Sequence, residues 1–298
     1  MDSLRTPDSC FENLTDYDFL PHYVEVDGLR IHYVDEGPPE APPLVCFHGE
    51  PTWSYLYRNM IPKFVAAGHR VLAPDLVGFG RSDKPSSTSD YTYERHVGWM
   101  RGWLEALKVQ NATLVCHDWG GLIGLRLLAE VGDRFARAVA SNTFLPTGDH
   151  ETPEAFLRWR EFSQVIPEFP VGQIVQSGST QELAPEVIAA YDAPFPEEKF
   201  KAGARIFPSL VPATPDDPAS AANRDAWQAL YQWQKPFLVA FSDSDPITGS
   251  ARPVLEKLIP GAQGQPNPVL AGGGHFIQED CGPALADAIV RWIDQLAT

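Results

Sequence analysis

Leu114-Val115-Cys116-His117-Asp118-Trp119-Gly120-Gly121-Leu122 is the stretch around which the chain is organised. An apolar run stops at a charged residue, an indole and two glycines, and residues at helical spacing follow at once. A strand feeding a tight turn and then a helix reads this way. Small residues at Cys116 and Gly120 let the backbone turn sharply and hold one side chain up at the corner, the arrangement called a nucleophile elbow. The corner residue is Asp118, where serine would be the common choice.

That substitution decides the chemistry. A carboxylate is ionised at neutral pH and needs no base to activate it. It can attack a saturated carbon directly and leave an alkyl ester on the enzyme. A histidine is then needed only for the second step, as general base for the water that cleaves the ester. No serine stands in a Gly-x-Ser-x-Gly context after a strand, which disfavours a serine esterase.

Outward from the elbow, apolar runs alternate with helical patterns. Residues 23–35 alternate apolar and polar around Asp27-Gly28, a hairpin signal. Pro43–Phe47 reads as a buried strand and ends in His48-Gly49-Glu50-Pro51, where an oxyanion-hole amide is expected. Residues 53–67 look helical, 70–75 extended, 92–107 helical, 112–117 extended, 120–130 helical and 136–141 extended. From about 146 to 234 no buried strand is evident, only short helical patterns broken by prolines. Strands resume at Pro236–Phe241, which leads to Asp243 and Asp245, and near Val269-Leu270, which leads to Gly272-Gly273-Gly274-His275. A closing helix is expected over 283–296. The reading is an α/β fold with a mostly parallel sheet and helices on both faces. Its core comprises 1–145 and 235–298, with a helical cap inserted at 146–234. Ligands bind beyond the strand C-termini in such sheets. His48, Asp118, Asp245 and His275 all follow strands, so they should gather at one edge.

Composition narrows the partners. The net charge of −16 over 298 residues disfavours nucleic acid and anionic membrane surfaces. The four cysteines are scattered without a Cys-x-x-Cys pair, as expected for reduced thiols in the cytoplasm. The N-terminus lacks the apolar core of a signal peptide, and no run reaches the ~18 apolar residues of a membrane span. The histidines show no metal-ligand spacing, so neither a metal nor a cofactor is expected. A monomer is the simplest expectation.

The order Asp118, Asp245, His275 matches nucleophile, acid and base in an α/β-hydrolase fold. Asp243 also lies within reach of its strand end. The sequence resembles the haloalkane dehalogenases over nearly its whole length. The motifs that carry the likeness are His48-Gly49-Glu50-Pro51-Thr52-Trp53, Pro74–Pro85, Asp118-Trp119-Gly120-Gly121 and Gly274-His275-Phe276. The resemblance implies Asp118 as nucleophile, His275 as base and Asp245 as the orienting acid. The backbone amides of Glu50 and Trp119 would form the oxyanion hole. It also implies that Trp119 and Trp159 hold the departing halide, and that Phe207-Pro208 lines the halide pocket. An indole N–H suits that task because it donates and has no acceptor lone pair. Substrate, water and product would be a small haloalkane, water and halide. Trp159 has a plainer reading, since Phe156, Trp159 and Phe162 are spaced as an apolar helix face.

Two other functions are considered. His117 before the nucleophile is how epoxide hydrolases spell this motif, with Tyr191 and Tyr231 as candidate acids. Glu50 weighs against that reading. A non-catalytic binding protein on the same fold should show a damaged triad, and this one looks complete.

Overall fold

The computed structural model describes residues 1–296. Its centre is a seven-stranded sheet: β1 (His22–Val26), β2 (Leu29–Glu36), β3 (Pro43–Phe47), β4 (Arg70–Pro74), β5 (Ala112–His117), β6 (Phe135–Ser141) and β7 (Phe237–Val239). The spatial order is β1-β2-β4-β3-β5-β6-β7. β1 and β2 are a hairpin turning at Asp27-Gly28, both with positive φ. β2 lies antiparallel to β4, and every later neighbour is parallel. β3 and β5 are buried along their whole length, which is why they read as continuous apolar runs. A short pair, β8 (Phe241–Ser242) and β9 (Val269–Leu270), continues the parallel pattern beyond β7.

Helices α1 (Ile61–Ala66), α2 (Tyr93–Ala106) and α3 (Trp119–Glu130) belong to the first half of the core. Thr92 caps α2 by accepting the Arg95 amide at 3.1 Å. Between β6 and β7 the described chain holds only helices: α4 (Glu154–Val165), α5 (Val171–Gly178), α6 (Pro185–Asp192), α7 (Ala202–Leu210) and α8 (Ser220–Leu230), with a 3-10 turn at Glu198–Lys201. α9 (Arg252–Leu258) and α10 (Ile277–Leu296) close the fold.

The helical insertion is tied to the core by polar groups that need partners once buried. Trp53 Nε1 donates to Ala190 O in α6 at 3.1 Å, and Trp227 Nε1 in α8 donates to Leu145 O at 2.8 Å. Tyr191 of α6 donates to Glu279, whose carboxylate also takes a bidentate bond from the buried Arg58.

Three expectations need correction. The single helix over 53–67 is a 3-10 turn, Ser54–Tyr57, followed by α1; Pro62 lacks an N–H and suits only a fresh first turn. The strand over 236–241 is two, because the chain leaves β6 after Ala240 and pairs with β9 instead. The closing helix starts at Ile277, with a kink at Cys281, and Pro283 sits at the start of its second piece.

Candidate active site

At the end of β5 the backbone turns on Asp118, whose φ of 49° and ψ of −124° lie outside the ordinary regions for a residue with a side chain. Such a conformation costs about 1–3 kcal/mol and persists only where the surroundings enforce it. Here the Asp118 N–H donates to Asn142 O at 3.2 Å, and Asp118 O accepts from Thr143 Oγ1 at 2.7 Å and the Gly121 amide at 2.8 Å. The turn also needs close backbone approach. A Cβ on Gly120 would sit 2.1 Å from Phe47 O, and one on Gly49 would sit 2.3 Å from Asp118 Oδ1. α3 starts at the next residue, so its positive end faces the carboxylate.

The Asp118 oxygens have different surroundings. Oδ1 accepts the Glu50 amide at 2.7 Å, and the adjacent Trp119 amide favours the charged form of the carboxylate. The Glu50 N–H belongs to a heavily bonded peptide group. The Gly49 carbonyl of that peptide accepts from His48 Nδ1 at 2.9 Å, the Thr52 amide at 3.0 Å and Thr52 Oγ1 at 2.8 Å. His48 Nε2 accepts the Leu76 amide at 2.9 Å, so the proton is on Nδ1. Three donors on the carbonyl fix the direction of the N–H and polarise it. The Glu50 side chain is itself buried; burial and the Asp118 charge push its carboxyl well above the usual carboxylate range.

Oδ2 of Asp118 faces His275 Nε2 at 3.5 Å. On the other side of the ring, Nδ1 lies 3.2 and 3.1 Å from the two oxygens of Asp245. Asp245 follows β8, its side chain fully buried, and accepts the Ile247 amide at 2.8 Å and the Thr248 hydroxyl. Burial opposes its charge, but His275 and these donors hold its carboxyl far below the usual range. Burial would likewise discharge His275; Asp245 and Asp118 outweigh it and push the imidazole up to about 10. Asp118 is held below its ordinary value despite burial, chiefly by His275. Asp243 takes no part in this chain of contacts. It accepts the Gly272 amide and the Ser244 hydroxyl, both at 3.0 Å.

His117 and Asn142 hold the His275 loop from the core. His117 Nε2 donates to the His275 carbonyl at 2.8 Å, and burial keeps the His117 ring neutral by lowering it to about 4. Asn142 Nδ2 reaches the Gly274 and His275 carbonyls at 2.8 and 3.1 Å, and Asn142 Oδ1 accepts the Ser242 amide at 2.9 Å. One asparagine therefore links the ends of β5, β6 and β8 to the loop after β9. Asn142 and Thr143 lie outside the motifs read from the sequence, whereas His48 and Thr52 fall within the His48–Trp53 motif with no role assigned there to either side chain. Their signal was position only: each follows a strand or sits beside the elbow loop.

Asp118, Trp119, Trp159 and His275 line one cavity of about 860 Å³, between the sheet edge and the helical insertion. The 17% of the Asp118 side chain that stays exposed belongs to this cavity wall. Trp119 is buried, with Phe207 of α7 tilted against it at 4.4 Å and Tyr93 at 5.1 Å. Trp159 on α4 is partly exposed and stacks on Phe162 at 5.9 Å. The N–H groups of Trp53, Trp227 and Trp292 each donate to a protein oxygen. Those of Trp103 and Trp233 are buried without a partner among the described residues and lie away from the cavity, whereas Trp119 and Trp159 line it. Pro208 lines the cavity, whereas Phe207 acts on it through Trp119. No tyrosine is among the lining residues. Tyr191 is spent on Glu279, and Tyr231, just past the end of α8, is exposed.

Comparison with known proteins places these features. The family model of the alpha/beta hydrolase fold matches residues 42–280. A haloalkane dehalogenase of Psychrobacter cryohalolentis is 58% identical over 298 residues, covering 98% of each chain. One from Mycobacterium marinum is 56% identical over 297 residues, covering 98% of this chain and 100% of its own. Among solved structures, the tetrameric haloalkane dehalogenase DpaA of Paraglaciecola agarilytica NO2 superposes with a TM-score of 0.90 at 37% identity, covering 96% of this chain and 97% of its own. An α/β-hydrolase sheet, a carboxylate at its elbow and this degree of likeness along the chain agree: the chain belongs to the haloalkane dehalogenase family of α/β-hydrolases.

Proposed function

We propose that the enzyme hydrolyses haloalkanes to a primary alcohol, halide and a proton through a covalent ester on Asp118, with residues 146–234 serving as the cap over the site. The observation that carries this reading is the asymmetry of one carboxylate. Its Oδ1 is held by the Glu50 amide, while Oδ2 faces the histidine.

In the first step an Asp118 oxygen attacks the halogen-bearing carbon. The new C–O bond forms as the C–X bond breaks, and the halide leaves with the electron pair. The N–H groups of Trp119 and Trp159 receive it, as donors that are not nucleophiles. Esterification removes the Asp118 charge. One of the two carboxylates that hold the proton on His275 is then gone, so the imidazole loses affinity for it and can act as base. Water next adds to the Asp118 carbonyl carbon while His275 Nε2 takes its proton. The oxyanion rests on the amides of Glu50 and Trp119, donors oriented before the reaction begins. The tetrahedral adduct expels the alkoxide, which is protonated to the alcohol; one water oxygen stays in the regenerated carboxylate, and the net proton goes to solvent. Asp245 keeps the ring oriented throughout.

An epoxide hydrolase would need an acid for the ring oxygen, and among the described residues no tyrosine lines the cavity with Asp118. Every group in the scheme comes from one chain, so a monomer is sufficient for catalysis. The four cysteines are unpaired, in keeping with a cytoplasmic enzyme. The test is halide release from a short dibromoalkane beside a styrene oxide assay. Halide with alcohol is expected; diol without halide would overturn the reading.

A further inference from the structure

The loop that carries His275 is gripped from two directions. From the core, His117 and Asn142 hold the His275 carbonyl and Asp245 holds its ring. From the helical insertion, the end of α5 holds the His275 amide, which donates to Gly178 O at 2.8 Å; the Phe276 amide reaches the same oxygen at 3.3 Å. The seam leaves no room for a side chain. A Cβ on Gly274 would stand 2.6 Å from Gly178 O, and one on Gly178 would stand 2.5 Å from the Phe276 ring.

Asp280, in the first turn of α10, spans this seam. Its carboxylate accepts the Gly274 amide at 2.7 Å from the base loop. From the segment after α5 it accepts the Thr180 amide at 3.0 Å and the Gln181 amide at 2.9 Å. The Thr180 hydroxyl adds a bond to Gly272 O. We infer that Asp280 is a positioning residue for His275, a clasp that joins the base loop to the C-terminal end of α5. This rests on the reading of His275 as the base for ester hydrolysis. Asp280 touches neither substrate nor reacting atoms. An amide in its place would turn an N–H₂ group toward some of the same three N–H donors, and the seam would have to open. His275 would lose its alignment with Asp118, although halide displacement does not need the histidine as base.

The two chemical steps should therefore respond unequally. Rapid-quench kinetics with 1-bromobutane on the full chain, with mass spectrometry of the protein, reads both. For Asp280→Asn the halide burst should stay within about twofold of the parent, while steady-state turnover falls about tenfold or more, the scale of a misplaced catalytic group. The butyl ester should accumulate on Asp118. Thr180→Val, which leaves the carboxylate in place, should shift the balance the same way by a smaller factor and serves if Asp280→Asn does not fold. Unchanged turnover would overturn the clasp, as would burst and turnover falling together without ester. So would a Thr180→Val enzyme with parental kinetics when Asp280→Asn cannot be purified folded. His275→Gln in the same series separates the parent reading: if it accumulates no ester, the base assignment falls and the clasp with it.

Discussion

On the core side of the cavity, Asp118 and His275 each make contacts from several strands' ends, and Asp245 is completely enclosed. On the insertion side, Trp159 stands, partly exposed, on a helix whose only fully buried residue is Ser163. The first surface is over-determined; the second is only loosely buried. The contrast separates two jobs. Charge development at fixed atoms requires donors oriented beforehand. Holding a spherical halide that must later leave requires contacts that can loosen. Experiments can break or sharpen this division.

The largest effect should come from Asp118→Asn. Halide release should fall by at least about four orders of magnitude, because an amide cannot form the ester. Thermal stability should be kept, since asparagine tolerates positive φ as well as aspartate does. The assay must be prompt, because hydrolysis of the new amide would restore the carboxylate. Next in size is His275→Gln. It should release about one equivalent of halide and then stall, with steady-state turnover down roughly 10²–10⁴-fold, the range for a lost general base. An enzyme that stalls before any halide appears would place His275 in the first step and blur the two jobs. Asp245→Asn should cost up to about 10⁴-fold in turnover by misorienting the imidazole. Asp243→Asn should change turnover only a few-fold, because that carboxylate caps the loop and does not reach the ring.

The insertion side should answer more mildly. Trp159→Phe should weaken bromide binding, read from tryptophan fluorescence quenching, by roughly tenfold, about the value of one hydrogen bond to a charged group. Trp119→Phe should weaken it at least as much. If Trp159→Phe binds bromide like the parent, α4 contributes only an apolar wall. Folding should respond as well. Because His275 is raised from 6.5 to about 10, the folded state binds its proton more tightly than the unfolded state does. That stabilisation is complete below about pH 6.5 and is lost as pH rises toward 10. Melting temperature measured across this window should decline in the parent more steeply than in His275→Gln.

What could be read from the sequence follows the same division. β3 and β5 are buried on both faces, so burial wrote itself as unbroken apolar runs. Asp118 was legible because a sharp turn demands small neighbours at fixed spacing. The roles of Asn142 and Thr143 were not, because they reach backbone atoms of segments distant in the chain, and a backbone atom leaves no trace in composition; those of His48 and Thr52 were hidden because they act on the neighbouring Gly49 carbonyl. The strand after Pro236 looked continuous because both of its pieces are apolar; only the partner changes at Ala240. Tyr191 looked available for acid catalysis until its hydroxyl was seen to be committed to Glu279.

Trp119 brings the two jobs together within a single residue. Its amide lies next to the Asp118 carboxylate and favours its charge, and its ring, braced by Phe207, lines the cavity where the halide would leave. The distance from the oxyanion to the leaving group is then set by covalent bonds and one rotamer. A shift of α4 would change how long a halide could linger, whereas the line of displacement would depend on the elbow and on the Phe207 brace. Redesign for bulkier halides therefore has its freedom on α4 and almost none at the elbow.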